Sequence, residues 1–274
     1  MITEKPTRGR FFRMSLIVMS ILILASCNKV PVTGRKQLNL YPESEMIAMS
    51  LTSYSEFIKQ NKLSSNTSQT NMVKSSGARI QKAVERYMTE KGLTSGLKGY
   101  QWEFNLVENS EPNAWCMPGG KVVVYTGIMP IAVDEAGLAV VMGHEIAHAI
   151  ARHGNERFSQ QMLIQMGGVA LDIALQNKPQ LTRDLWMQAY GIGSAVGVML
   201  PYSRAHETEA DKLGLIFMAM AGYDPNNAIS FWQRMEKTGG QAPPEFLSTH
   251  PSSGRRIQDL KSYLPEAMKY YKKP

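Results

Sequence analysis

The sequence predicts an α+β fold, mainly helical, with a small antiparallel sheet beside one central helix. Three observations carry this. Apolar residues recur at helical spacing over most of the 274 residues. Alternating and β-branched stretches cluster between Trp102 and Tyr125. That cluster is followed by a helix holding three of the five histidines, His144, His148 and His153.

At the start, Met1–Ser26 has a basic stretch ending at Arg13 and an apolar run from Met14 to Leu24. That run is short for a transmembrane helix and reads as a secretory signal. Leu24-Ala25-Ser26-Cys27 resembles a bacterial lipobox, which makes Cys27 the lipidated mature N-terminus. Residues 27–43 then read as a lipid-anchored tether with a turn at Pro31-Val32-Thr33-Gly34-Arg35. Asn28 after the cysteine fits sorting to the outer membrane, so the expected location is a cell-envelope lipoprotein facing the periplasm. The formal net charge is +7; the first 26 residues hold four bases against Glu4, which leaves +4. No basic stripe interleaved with aromatics is present, so nucleic acid is not an expected partner.

Residues 44–264 read as one domain and 265–274 as a tail. Ser44–Gln60 and Met72–Lys91 have helical periodicity, separated by the polar loop Asn61–Ser68. Trp102–Leu106 alternates as a half-buried strand, and Ala114–Met117 and Lys121–Tyr125 read as two more. Cys116 sits between Trp115 and Met117, where a packed thiol is the simple reading. Asp134–His153 reads as a helix with Asp134 as N-cap and Gly154 as its stop. Phe158–Leu175 and Leu181–Leu200 are apolar but interrupted by charges, and are expected to form a helical hairpin covering the site, the alternative being a lid that leans on the membrane. Ser203–Ala221, Pro225–Thr238 and Ser253–Leu264 complete the helices.

The chemistry lies in Gly143-His144-Glu145-Ile146-Ala147-His148. On a helix His144 and His148 share a face one turn apart and can bind one zinc ion. Glu145 is rotated by about 100° and misses the metal, but reaches a water bound to it. That is the H-E-x-x-H arrangement of two ligands and a general base. A catalytic zinc wants a third protein ligand. Glu207-Thr208-Glu209-Ala210-Asp211 supplies Glu207 as that ligand and Asp211, one turn on, to orient a zinc histidine. Glu209 falls on another face. One Zn2+ per chain is therefore expected, with Glu145 as catalytic base.

These motifs together resemble the gluzincin pattern of peptidase family 48, which contains the HtpX-like, Oma-like and CAAX prenyl proteases. Asn113–Gly120, Tyr202-Ser203-Arg204 and Ser248-Thr249-His250-Pro251 also agree, and the segment Cys27–Leu40 resembles the periplasmic lipoprotein branch. The resemblance implies a gluzincin-type metalloprotease domain and a zinc endopeptidase that hydrolyses unfolded or misassembled cell-envelope proteins. The rival reading is a binding module that holds such proteins without cleavage; the intact Glu145 argues against it. The sequence leaves the oxyanion donor open among Tyr202, Arg255 and Arg256. His250 is expected to be a fourth ligand that silences the resting site, a substrate-facing donor, or a structural loop residue. Lys121–Tyr125 is expected to be a sheet edge beside the cleft, with Gly119 and Gly120 giving room and Lys121 and Val122 pairing with an extended substrate.

Overall fold

A computed structural model describes residues 27–30, 33–238, 246, 250 and 255–272. The chain begins with a two-stranded antiparallel hairpin, β1 (Cys27–Lys29) and β2 (Lys36–Leu38). The expected tether is thus partly folded: Gln37 is buried and its side-chain amide donates to the Ala151 carbonyl at 2.6 Å. Helices α1 (Glu43–Gln60) and α2 (Thr67–Glu90) follow. The Asn66 side chain caps α2 by accepting from the Gln69 amide at 3.0 Å, so this helix starts inside the expected loop.

The sheet consists of β3 (Glu103–Val107), β4 (Ala114–Met117) and β5 (Lys121–Tyr125) in the order β3-β5-β4. It is mixed rather than antiparallel: β5 runs parallel to β3, with Phe104 opposite Val122, and antiparallel to β4, with Cys116 opposite Val122. The expectation that Lys121–Tyr125 is the edge is therefore corrected. Val122, Val123 and Val124 are fully buried, as a β-branched run suits a strand covered on both faces. Among the described residues β3 and β4 are the two edges of this sheet. Gly119 and Gly120, at φ 93° and 84°, form the tight β4–β5 turn. A Cβ on Gly120 would lie 2.8 Å from the Trp102 ring and one on Gly119 3.1 Å from Ile47, so these glycines admit neighbouring side chains rather than a substrate.

Beyond the short helix α3 (Met129–Ala132), α4 (Glu135–Ile150) runs through the centre, buried on nearly every face. A helix apolar all round has no solvent side to present. Asp134 caps it as expected, accepting from the Gly137 amide at 2.8 Å. Its end differs: α4 stops before Arg152, whose left-handed φ of 58° turns the chain, and α5 (His153–Leu175) begins at once. That turn swings His153 back toward His148.

Helix α6 (Gln180–Ser194) returns along α5 and passes through a π turn, Ala195–Met199, into α7 (Leu200–Met220). The α5–α6 hairpin is largely exposed. Met166, Val169, Ile173, Leu181, Leu185, Trp186 and Ile192 are each more than half exposed, and α6 buries no residue. Among the described residues no helix is long and apolar enough to cross a membrane. Finally α8 (Asn227–Thr238) and α9 (Arg256–Met268) pack against α4 and α7. α9 extends past the expected boundary at 264, with Ala267 buried, so the tail is shorter than the sequence suggested.

Candidate metal centre

Helices α4 and α7 cross at close range. Gly143 faces Gly214 there, and a Cβ on Gly214 would lie 2.9 Å from the His144 amide nitrogen. No side chain separates the helices, so the paired residues of one face the paired residues of the other. His144 and His148 on α4 thereby meet Glu207 and Asp211 on α7.

Four ligand atoms converge. His144 Nε2 is 3.1 Å from His148 Nε2 and 3.3 Å from Glu207 Oε2. His148 Nε2 is 3.3 Å from Glu207 Oε1. His250 Nδ1 is 3.2 Å from His144 Nε2 and 3.1 Å from Glu207 Oε1. A tetrahedral zinc with bonds of about 2.0–2.1 Å separates its ligand atoms by about 3.3 Å. All four atoms lie within 4.8 Å of one another. His144, His148, Glu207 and His250 therefore fit a tetrahedral zinc.

The other ring nitrogens fix the tautomers. His144 Nδ1 faces Asp211 Oδ1 at 3.0 Å, so it donates there and Nε2 keeps its lone pair for a metal. This is the role the sequence assigned to Asp211. His148 Nδ1 is 2.9 Å from His153 Nδ1, and His153 Nε2 is 3.1 Å from Glu209 Oε2. The consistent arrangement has His148 donating to His153 and His153 donating to Glu209. Sequence reading missed His153 and undervalued Glu209; the signal was a third histidine five residues past His148, beyond a helix end.

Arg256 is buried and donates to Asp211 Oδ1 at 2.7 Å, with Glu207 Oε2 at 3.4 Å. Its guanidinium lies 3.5 Å over the Trp232 ring. It is thus held between two carboxylates beside the ligand cluster. Arg255 is exposed, and the Tyr202 side chain lies outside the described residues. The Glu207 carboxyl resists burial's upward push and is held far below the usual range by His148, His144 and His250.

Glu145 is 3% exposed, and its Oε1 has no hydrogen-bond partner. That oxygen is 3.5 Å from His250 Nε2. Burial raises its proton affinity, the direction wanted in a general base. His250 thus stands between the ligand cluster and Glu145, with Phe246 stacked on its ring at 4.8 Å.

A central helix carrying H-E-x-x-H, joined by a glutamate from a second helix, defines a metallopeptidase domain. The sequence pattern of Peptidase family M48 matches residues 74–264, and the chain belongs to that family. M48 peptidases are zinc-dependent. The chain is 37% identical over 190 residues to the mitochondrial metalloendopeptidase OMA1 of Schizosaccharomyces pombe, covering 67% of this chain and 53% of the relative. It is 31% identical over 250 residues to the human metalloendopeptidase OMA1, covering 87% and 46%. The β-barrel assembly-enhancing protease of Escherichia coli is 28% identical over 170 residues, covering 59% and 34%. The chain spans about half the length, or less, of these relatives. They also correct one expectation. The relatives of higher identity are mitochondrial proteins, so the placement as an outer-membrane lipoprotein facing the periplasm, anchored at Cys27, is overturned. Cys27 opens β1 opposite Leu38.

Proposed function

We propose that this chain is a zinc metalloendopeptidase acting on unfolded or misassembled polypeptides in a quality-control role. The observation that carries the proposal is the four-atom cluster with the buried Glu145 carboxylate beside it, one oxygen of which makes no hydrogen bond. His144, His148 and Glu207 would hold one zinc ion per chain. Bound zinc supplies a Lewis acid that polarises the scissile carbonyl and makes water a better nucleophile. Glu145 takes the proton from the attacking water and hands it to the leaving amine nitrogen.

His250 Nδ1 would take the fourth position on a bound zinc, and its Nε2 faces Glu145. It would deny that position to water, so on this reading the arrangement is a resting one and His250 swings out before turnover. The outer edge of β4, unpaired among the described residues and packed beside α4, then offers backbone groups to an extended segment. Main-chain pairing of that kind suits unfolded chains, because it asks little of their side chains.

The test is Glu145→Gln, assayed on an unfolded protein substrate with metal content measured in parallel. Cleavage is expected to disappear while zinc stays near one per chain. A variant that cleaves at the wild-type rate would overturn the assignment. A zinc-loaded wild type that binds unfolded protein without cutting it would instead mark a holding module.

A further inference from the structure

The β1–β2 hairpin reaches the metal centre through its turn. Val30 and Arg35 close that turn, the Val30 amide donating to the Arg35 carbonyl at 2.8 Å. Two of its side chains reach buried carboxylates. The Thr33 hydroxyl donates to Glu209 Oε1, and Arg35 Nε donates to Glu209 Oε2 at 3.0 Å. The rest of the Arg35 guanidinium forks onto Glu156, with Nη1 to Oε1 at 2.9 Å and Nη2 to Oε2 at 2.7 Å. Two parallel bonds of this kind fix a carboxylate in direction as well as charge. Glu156 and Glu209 are both buried, at 0% and 5% exposure.

These contacts complete a chain of bonds that starts at a metal ligand. His148 donates to His153, His153 to Glu209, and Glu209 accepts from Arg35 and Thr33. A third support lies alongside: His206 stacks on His153 at 4.2 Å and also meets Glu156 at 2.9 Å. Among the described residues, Arg35 is therefore the cation that bonds to both Glu156 and Glu209. Without it, Glu209 has fewer partners to hold its orientation, and the aim of His153 and His148 loosens in turn. We propose that Arg35 is a positioning residue for the metal centre, holding His148 in place through Glu209 and His153. The proposal rests on the metallopeptidase reading and gives the N-terminal hairpin a part in the site, 113 residues in sequence from His148.

The test uses the whole chain and reads metal binding rather than turnover. Arg35→Gln, His153→Gln and the double variant are compared with Lys36→Gln, which removes an exposed neighbouring charge. Zinc affinity is measured by competition with a chelating dye, and the ligand field by the visible absorption of the cobalt-substituted protein. Arg35→Gln is expected to weaken zinc about tenfold, in the range typical of groups that orient ligands. It should also shift the cobalt bands, and add little once His153 is changed, because both act along one path. Lys36→Gln should do neither.

Unchanged zinc affinity and cobalt bands in Arg35→Gln would overturn the proposal, as would an effect that adds in full to that of His153→Gln. If Arg35→Gln does not fold, Thr33→Val removes a single donor to Glu209 and must shift the cobalt bands in the same direction for the proposal to stand. A wild type that binds no zinc defeats the metallopeptidase reading and this inference together, whereas a zinc-binding wild type indistinguishable from Arg35→Gln defeats this inference alone.

Discussion

Gly143 and Gly214 meet where α4 crosses α7, and a Cβ on Gly143 would lie 3.0 Å from the Gly214 carbonyl oxygen. This contact sets the distance at which two histidines meet a glutamate and an aspartate. Gly214→Ala should push the helices apart, because its Cβ would meet the His144 backbone rather than a flexible side chain. Overpacking of this kind typically costs about 1–3 kcal/mol. Thermal unfolding should show that loss, and zinc affinity should fall with it. Retention of both would mean the crossing relaxes without cost.

Asp211 and Glu207 separate two kinds of support. Glu207→Ala deletes a ligand and should remove most bound zinc. Asp211→Ala removes the acceptor for His144 Nδ1 and should weaken zinc about 10–100-fold. It also leaves Arg256 without its 2.7 Å partner. Zinc titration of the two variants checks the order.

His250 blocks or assists, and the two roles differ in sign. As a plug, His250→Ala should raise basal cleavage of an unfolded substrate, with self-digestion a visible by-product. As an oxyanion donor it would lower the rate by about 10²–10³. The 3.1–3.2 Å distances of its Nδ1 from Glu207 and His144 favour the rise.

The outer edge of β4 gives a prediction about substrates. Proline near the scissile bond removes a backbone donor and should slow cleavage of a peptide that otherwise fits. Charge changes on outward-facing side chains of the same peptide should matter less. A proline series that cuts uniformly would count against pairing at β4.

Glu156 gives a pH dependence away from the ligands. Burial pushes its carboxyl up, but Arg35 and His206 win and hold it down at about 2, against 4.5 for a free glutamate. A lowered folded pKa stabilises above the unfolded value and is lost as pH falls through the folded one. The stability advantage of wild type over Glu156→Gln should therefore be full above about pH 4.5 and shrink toward pH 2. Denaturant unfolding across that range measures it.

Much of this was legible in the chain. His144 and His148, and Glu207 and Asp211, are spaced one helical turn apart, so the helix alone puts each pair on one face. Periodicity likewise placed the long helices to within about six residues at each end, and Asp134 declared its cap. Such features depend on neighbours three or four positions away, which a sequence displays directly. Strand order does not have that property. Val122-Val123-Val124 marks a buried strand, yet only packing decides that it lies between β3 and β4 rather than at the rim. The same holds for Arg35 and Glu209, which no spacing ties to the ligands, and for Arg256, which the sequence offers as an oxyanion donor rather than as the partner of Asp211 and Glu207. Each is drawn inward because the α4–α7 crossing buries opposite charges that must be matched, and buried charge without a partner is costly. The sequence by itself determined the candidate ligands His144, His148 and Glu207 and the helices that carry them. Tertiary structure alone decided which distant side chains hold them still, since hydrogen bonds between elements far apart in the chain leave no periodic trace.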